Sequence, residues 1–171
     1  AAQAALSLMN DSRGFMWFGT ENGLYRFDGS RYVEYGIDSQ GDKGFSGYQV
    51  NTIFEDSDGI IWAGTSGALN RLDQKTGRFS HFFPDSLRNG SGDNVIRFVT
   101  EDRKGFLWII SDMNIFRFNR ISGTFTNLGP DSLIWHKKEK SFYTRDESER
   151  FLEDHEGNIW IGTDNGLYFF R

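Results

Sequence analysis

Four aspartates, Asp11, Asp56, Asp102 and Asp154, each stand six residues before a tryptophan: Trp17, Trp62, Trp108 and Trp160. Carboxylates at a fixed spacing raise two chemistries, general acid–base catalysis and calcium coordination. Asp56-Ser57-Asp58-Gly59 even looks like a fragment of a calcium loop. Such a loop needs more oxygen donors at fixed positions, and Arg13 and Lys104 fall inside the equivalent turns. The tryptophans raise a third chemistry, stacking against sugar rings. Against all three stands a plainer reading: whatever recurs in every copy of a repeat builds the repeat. On that reading Asp11, Gly14, Trp17, Asp56, Gly59, Trp62, Asp102, Gly105, Trp108, Asp154, Gly157 and Trp160 are structural, and functional residues lie where the repeat breaks.

The copies read Asp11-Ser-Arg-Gly-Phe-Met-Trp17-Phe-Gly-Thr, Asp56-Ser-Asp-Gly-Ile-Ile-Trp62-Ala-Gly-Thr, Asp102-Arg-Lys-Gly-Phe-Leu-Trp108-Ile-Ile-Ser and Asp154-His-Glu-Gly-Asn-Ile-Trp160-Ile-Gly-Thr, spaced by 45, 46 and 52 residues. Periods in this range signal a repeat architecture. In the second copy, Val50–Phe54, Ile60–Thr65, Leu69–Asp73 and Gly77–Phe82 are four strand-length segments separated by turns, an antiparallel meander. The first turn has a mechanism: Asp accepts a hydrogen bond from the N–H two residues on, and Gly three places later takes positive φ. The second hairpin carries Asn22-Gly23 and Asn165-Gly166, a strong hairpin signal, with Asn114 in the glycine's place in the third copy as a residue tolerant of the left-handed region.

The Trp-bearing strand has large apolar groups on both sides, so both of its faces are expected to be buried between stacked sheets. Gly19, Gly64 and Gly162 would let a neighbouring sheet come close. A β-sandwich has no reason to repeat a Trp at this period, whereas radial repetition does. The expectation is an all-β chain, a β-propeller fragment of about four blades of four-stranded antiparallel meanders. The blades fall at about residues 4–36, 48–83, 94–129 and 147–171, the last lacking its outer strand.

Composition narrows the partners. The 171 residues carry a net charge of −5 and scattered Lys and Arg, which argues against nucleic acid. No apolar run is long enough for a transmembrane helix, so no membrane insertion is expected within this segment. Zero cysteines exclude disulfides and thiolate metal sites. His81, His136 and His155 show no metal-ligand spacing. No nucleophile elbow, phosphate loop or dinucleotide fingerprint is present. Neither a metal nor a cofactor is expected, and nothing singles out an acid–base pair of the kind a propeller glycosidase or lyase would need.

The wording Asp-x-x-Gly-x-x-Trp-x-Gly-Thr-x-x-Gly-Leu-x-Arg-Phe-Asp resembles the two-component regulator propeller repeat. The first copy fits best, at Asp11, Gly14, Trp17, Gly19, Thr20, Gly23, Leu24, Arg26, Phe27 and Asp28; the second departs at Ala68, the third at Ile110, Ser111 and Asn114, and the fourth at Phe169 and Phe170. The resemblance implies a sensor region of a hybrid two-component histidine kinase, as in gut Bacteroidetes, placed in the periplasm and recognising breakdown products of complex carbohydrates. It implies a non-catalytic fragment contributing to ligand recognition and signal transduction. The alternative is a structural arc that makes domain or dimer contacts.

The repeat breaks most in the connection 129–148, about six residues longer than its counterpart. It holds Trp135, His136, Lys137, Lys138, Phe142, Tyr143 and Arg145. Aromatic rings beside polar partners suit an oligosaccharide ligand. Trp135, His136, Tyr143 and Arg145, with Asn22 and Asn165 from hairpins on the same face, are the candidate ligand contacts. The packing alternative is that the loop tucks against a blade edge. An open run of blades leaves apolar faces at both ends, and self-association through them is expected.

Overall fold

The structure, a computed structural model, describes residues 4–36, 44–84, 95–112, 114–129, 133–136, 151–163 and 166–171. Every regular element among them is a β-strand. The strands form four four-stranded antiparallel sheets, each one blade. The first blade runs β1 (Ala5–Asn10), β2 (Met16–Thr20), β3 (Gly23–Phe27) and β4 (Tyr32–Gly36), in that order across the sheet. The second runs β5 (Val50–Glu55), β6 (Ile61–Thr65), β7 (Leu69–Asp73) and β8 (Arg78–Phe82). The third is β9 (Ile96–Glu101), β10 (Phe106–Ser111), β11 (Ile115–Asn119) and β12 (Thr124–Asn127). All three are simple meanders, the connection that short antiparallel strands favour.

The fourth blade is built differently. β14 (Phe151–Glu153), β15 (Ile159–Thr163) and β16 (Gly166–Phe170) pair in sequence, but the position beyond β16 is taken by β13 (Leu133–His136). Leu133 sits opposite Tyr168, Trp135 opposite Leu167 and His136 opposite Gly166. This corrects the expectation of an unfilled outer position. An unpaired β16 would expose a row of N–H and C=O groups, and the upstream connection supplies them with partners.

Contacts divide the chain into two compact units, residues 1–99 and 100–171. In the first, one core lies between the first two blades. It joins Trp17, Leu24 and Phe45 to Val50, Ile53, Ile61, Ala63, Leu72 and Phe79, with Met9, Phe15 and Tyr35 packed against it. Tyr35 stacks on Trp17 at 5.8 Å and meets Phe79 edge-on at 5.9 Å. A Cβ at Gly19 would collide with Ser7 Oγ and lie 2.5 Å from the Val50 carbonyl oxygen, and one at Gly64 would lie 2.5 Å from the Ile96 side chain. At these two glycines a neighbouring backbone or side chain comes too close for a Cβ. In the second unit, Trp108 packs against Phe170 at 5.0 Å and Phe151 at 5.9 Å.

All five residues of β6 are buried, in line with a two-faced strand, whereas Met16 at the start of β2 is 40% exposed. The hairpin after the Trp strand also departs from expectation. Neither Gly23 nor Asn114 has positive φ. A hydroxyl closes this turn instead: Thr20 Oγ1 accepts from the N–H of Asn22 and Gly23 and donates to the Gly23 carbonyl. Ser111 Oγ does the same with both backbone groups of Asn114. In the first and third blades the Thr or Ser ending the Trp strand therefore does the work assigned to the left-handed Asn-Gly pair, whereas in the fourth Gly166 has the expected positive φ.

Candidate functional site

The four aspartates end the first strand of their blades and enter a tight turn. Oδ1 of Asp11 accepts from the N–H of Arg13 at 3.0 Å and of Phe15 at 2.9 Å. Oδ2 accepts from the Trp17 indole Nε1–H at 2.9 Å. Asp56 repeats this with Asp58, Ile60 and Trp62, the last at 2.7 Å. Asp102 holds Lys104, Phe106 and Trp108, and Asp154 holds Glu156, Asn158 and Trp160. Gly14, Gly59, Gly105 and Gly157 complete the turn with φ between 75° and 85°.

Each carboxylate is thus engaged by three N–H donors on both oxygens. Hydrogen bonds to the ionised form lower a carboxyl pKa. Burial pushes Asp11 upward, but the Trp17 indole and the N–H groups of Phe15 and Arg13 outweigh it and the group lies below its ordinary value. The Trp160 indole, then the Asn158 side chain, hold Asp154 well below the usual carboxylate range. Asp11 and Asp154 therefore keep their charge at neutral pH and do not trade protons as a general acid would. Their lone pairs point at N–H donors rather than at a place for a cation. The carboxylate–indole bond was missed in the reading of the sequence; the unvarying six-residue interval from Asp to Trp was its signal.

A break in the repeat opens a pocket of about 250 Å³ within residues 100–171. It is lined by Lys104, Trp108, Arg117, Leu128, Phe169 and Arg171 among others. Leu128 pairs with Ile115, the place Tyr35 holds opposite Leu24 in the first blade. There the Tyr35 ring covers Trp17; the shorter Leu128 leaves the space beside Trp108 open. The Arg117 guanidinium lies 4.8 Å above the Phe106 ring, and Arg171 lies 5.7 Å from Phe169. Of its two acids, Asp102 is held by the N–H groups of Lys104 and Phe106 and the Trp108 indole, and Glu153 by the N–H and guanidinium of Arg103. Lys104, Arg117 and Arg171 have no carboxylate partner among the described residues, so the pocket is cationic with aromatic walls.

The sequence-derived contacts are scattered relative to this pocket. Asn22 is exposed in the β2–β3 hairpin, its N–H held by Thr20 Oγ1 at 3.2 Å. The backbone of Trp135 and His136 lies in β13, paired with Leu167 and Gly166 of β16. Tyr143, Arg145 and Asn165 lie outside the described residues.

The family model of the two component regulator propeller matches residues 2–22, 44–67 and 147–165. No curated protein matches the chain. Among solved structures, the extracellular domain of BT3049 from B. thetaiotaomicron, assigned to a hybrid two component system, is similar over 100% of this chain and 29% of its own, at 22% identity and a TM-score of 0.69. The extracellular domain of BT4673 from the same organism, assigned to a one component system, is similar over 98% of this chain and 21% of its own, at 22% identity and TM-score 0.67. A catalytically inactive virginiamycin B lyase from Staphylococcus aureus with quinupristin shares the fold at 18% identity and TM-score 0.65, over 98% of this chain and 55% of its own. The chain therefore spans less than a third of the first two relatives, and the likeness to all three is one of fold. With the matched stretches falling on the first, second and fourth blades, the chain is an all-β propeller fragment similar over these stretches to two-component regulator propeller repeats.

Proposed function

We propose that the chain is a non-catalytic recognition segment of an extracytoplasmic sensor in a two-component system, and that it contributes to binding a carbohydrate-type ligand. The family match carries this reading. The engagement of all four recurrent aspartates inside the fold supports the non-catalytic part. The cationic pocket adds a finer point. Lys104, Arg117 and Arg171 around aromatic walls favour a saccharide that bears an acid group, whose ring stacks while its charge meets the cations.

The test is an array of neutral and acidic oligosaccharides on the intact extracytoplasmic region, followed by calorimetry on any hit. Arg117→Ala is expected to weaken an acidic ligand by roughly tenfold, about 1.4 kcal/mol. Trp135→Ala and Tyr143→Ala test the long connection. If no saccharide binds, the carbohydrate reading fails; if one binds and Arg117→Ala leaves its affinity unchanged, the pocket is not its site.

A further inference from the structure

One position breaks the repeat from inside. Tyr25, Phe116 and Tyr168 follow the Leu or Ile of β3, β11 and β16, and the second blade has Asn70 in their place, opposite Ala63. Asn70 is fully buried. A buried amide must have its hydrogen bonds met, and the connection entering this blade meets them. Asn70 Oδ1 accepts from the Ser46 N–H at 2.7 Å, and Asn70 Nδ2–H donates to the Ser46 carbonyl at 3.1 Å. Thr65 Oγ1–H donates to the same carbonyl at 2.6 Å. His81 Nδ1 lies 2.8 Å from Asn70 Oδ1; that oxygen can only accept, so the imidazole is the donor.

The strap of residues 44–49 is held on both sides of Ser46. Phe45 is fully buried in the core between the first two blades, and its N–H donates to the Gly36 carbonyl at 3.2 Å. Gly47 has a φ of 104°, and a Cβ there would lie 2.7 Å from the Thr65 Cβ. Yet the next residue, Tyr48, is 77% exposed. A lone exposed ring is common on protein surfaces. This one stands on backbone that folding has already fixed, so a ligand stacking on it has little left to order. Beyond it Gln49 and Asn51 brace each other: Gln49 Nε2–H donates to Asn51 Oδ1 at 3.0 Å, and Asn51 Nδ2–H to the Gln49 carbonyl at 3.2 Å. Gln49 Oε1 accepts no hydrogen bond among the described residues. Residues 44–54 and 64–70 contain no Asp, Glu, Lys or Arg.

We propose that Tyr48 is a stacking site for a neutral sugar ring, presented by the strap that Asn70 anchors. The site rests on the carbohydrate reading above and differs in chemistry from the cationic pocket. The Tyr48 ring offers its apolar face to sugar C–H groups, and Gln49 Oε1 offers an acceptor to a hydroxyl. The absence of charge along the strap and the hairpin beneath it favours an uncharged ligand over an acidic one. Asn70 is a positioning residue: buried under the strap, it acts on the ligand only through Tyr48.

The test is saturation-transfer NMR and calorimetry on the intact extracytoplasmic region, with neutral hexaoses of glucose, mannose and xylose and an acidic one of galacturonic acid as probes. A neutral hexaose is expected to bind. Tyr48→Ala is expected to weaken it by roughly tenfold or more, while Tyr48→Phe, which keeps the ring, stays within about twofold. Arg117→Ala is expected to leave it unchanged. Asn70→Ala is expected to weaken binding in the native background and to add nothing in the Tyr48→Ala background, the mark of a residue that acts through another. Far-UV dichroism and tryptophan emission report folding, and Thr65→Val, which removes one bond to Ser46 at nearly constant shape, takes its place in the cycle if Asn70→Ala does not fold. Neutral binding undiminished in Tyr48→Ala, or lost equally in Tyr48→Phe, overturns the site. Additive losses overturn the role of Asn70. Binding of the acidic hexaose alone overturns the site and leaves the carbohydrate reading standing; binding of none overturns both.

Discussion

The Trp62 indole N–H donates to Asp56 Oδ2 across 2.7 Å, with the tryptophan 1% and the aspartate 4% exposed. The bond ties the turn after β5 to the middle of β6. It pairs the one polar atom of a large buried side chain with a carboxylate that also caps two backbone N–H groups. The same arrangement occurs once in each blade.

Removing the acceptor leaves three donors without their partner. Asp56→Ala is expected to cost about 2–4 kcal/mol, the range for breaking a buried hydrogen-bond network. Trp62→Phe, which keeps an aromatic ring but removes the N–H, is expected to cost less than Asp56→Ala. Urea denaturation of both variants measures this, and a loss below about 0.5 kcal/mol for Asp56→Ala, the level of an ordinary surface change, would show that the bond does not hold the blade.

Acid attacks the same bonds. Asp11 and Asp154 have folded-state pKa values below the ordinary 3.8. The unfolded chain therefore binds protons first as pH falls, and the stability these groups contribute is full above about pH 4 and lost below it. The urea midpoint is expected to fall between about pH 4 and pH 2. Asp154→Asn removes one of the responsible groups and is expected to flatten that fall. A midpoint independent of pH across this window contradicts the assignment.

Gly64 and Gly162 hold the same place in their repeats, yet their surroundings predict opposite outcomes. A methyl at Gly64 would lie 2.5 Å from Ile96 and 2.6 Å from Thr52. Gly64→Ala is expected to destabilise by about 1–3 kcal/mol through overpacking. Gly162→Ala meets nothing within 4 Å and is expected to leave the thermal midpoint unchanged.

Leu128→Tyr restores in the third blade the ring that Tyr35 places over Trp17. An added aromatic contact is worth about 0.5–1.5 kcal/mol, and about 1 kcal/mol moves the midpoint of a chain this size by roughly 2–4 °C. The variant is expected to melt higher and to lose any ligand that enters the pocket. A lower melting temperature would mean that the space beside Trp108 does not accept the ring.

Much of the architecture was legible in the residues because it is local. The Asp-to-Gly turn and the strand-length apolar segments are set by contacts within ten residues, and Trp spacing counted the blades without reference to anything distant. The closing of the second hairpin was legible in part: the hairpin was found, but it was assigned to left-handed Asn-Gly, while Thr20 and Ser111 close it with hydroxyls. A side chain that competes for backbone groups leaves no mark in hydrophobic periodicity.

The candidate site was less legible, for a physical reason. The residues as a string determined a repeat, the positions that recur in it, and the all-β fold those positions build. The tertiary structure decided what each recurrence is for. Only in three dimensions does Asp meet the indole six residues on, does Leu133–His136 leave its connection to pair with β16, and does Leu128 in the place of Tyr35 open a cationic pocket. The same repeat position is core at Ile53 and surface at Leu8, because burial belongs to the neighbour a face has and not to the residue that forms it.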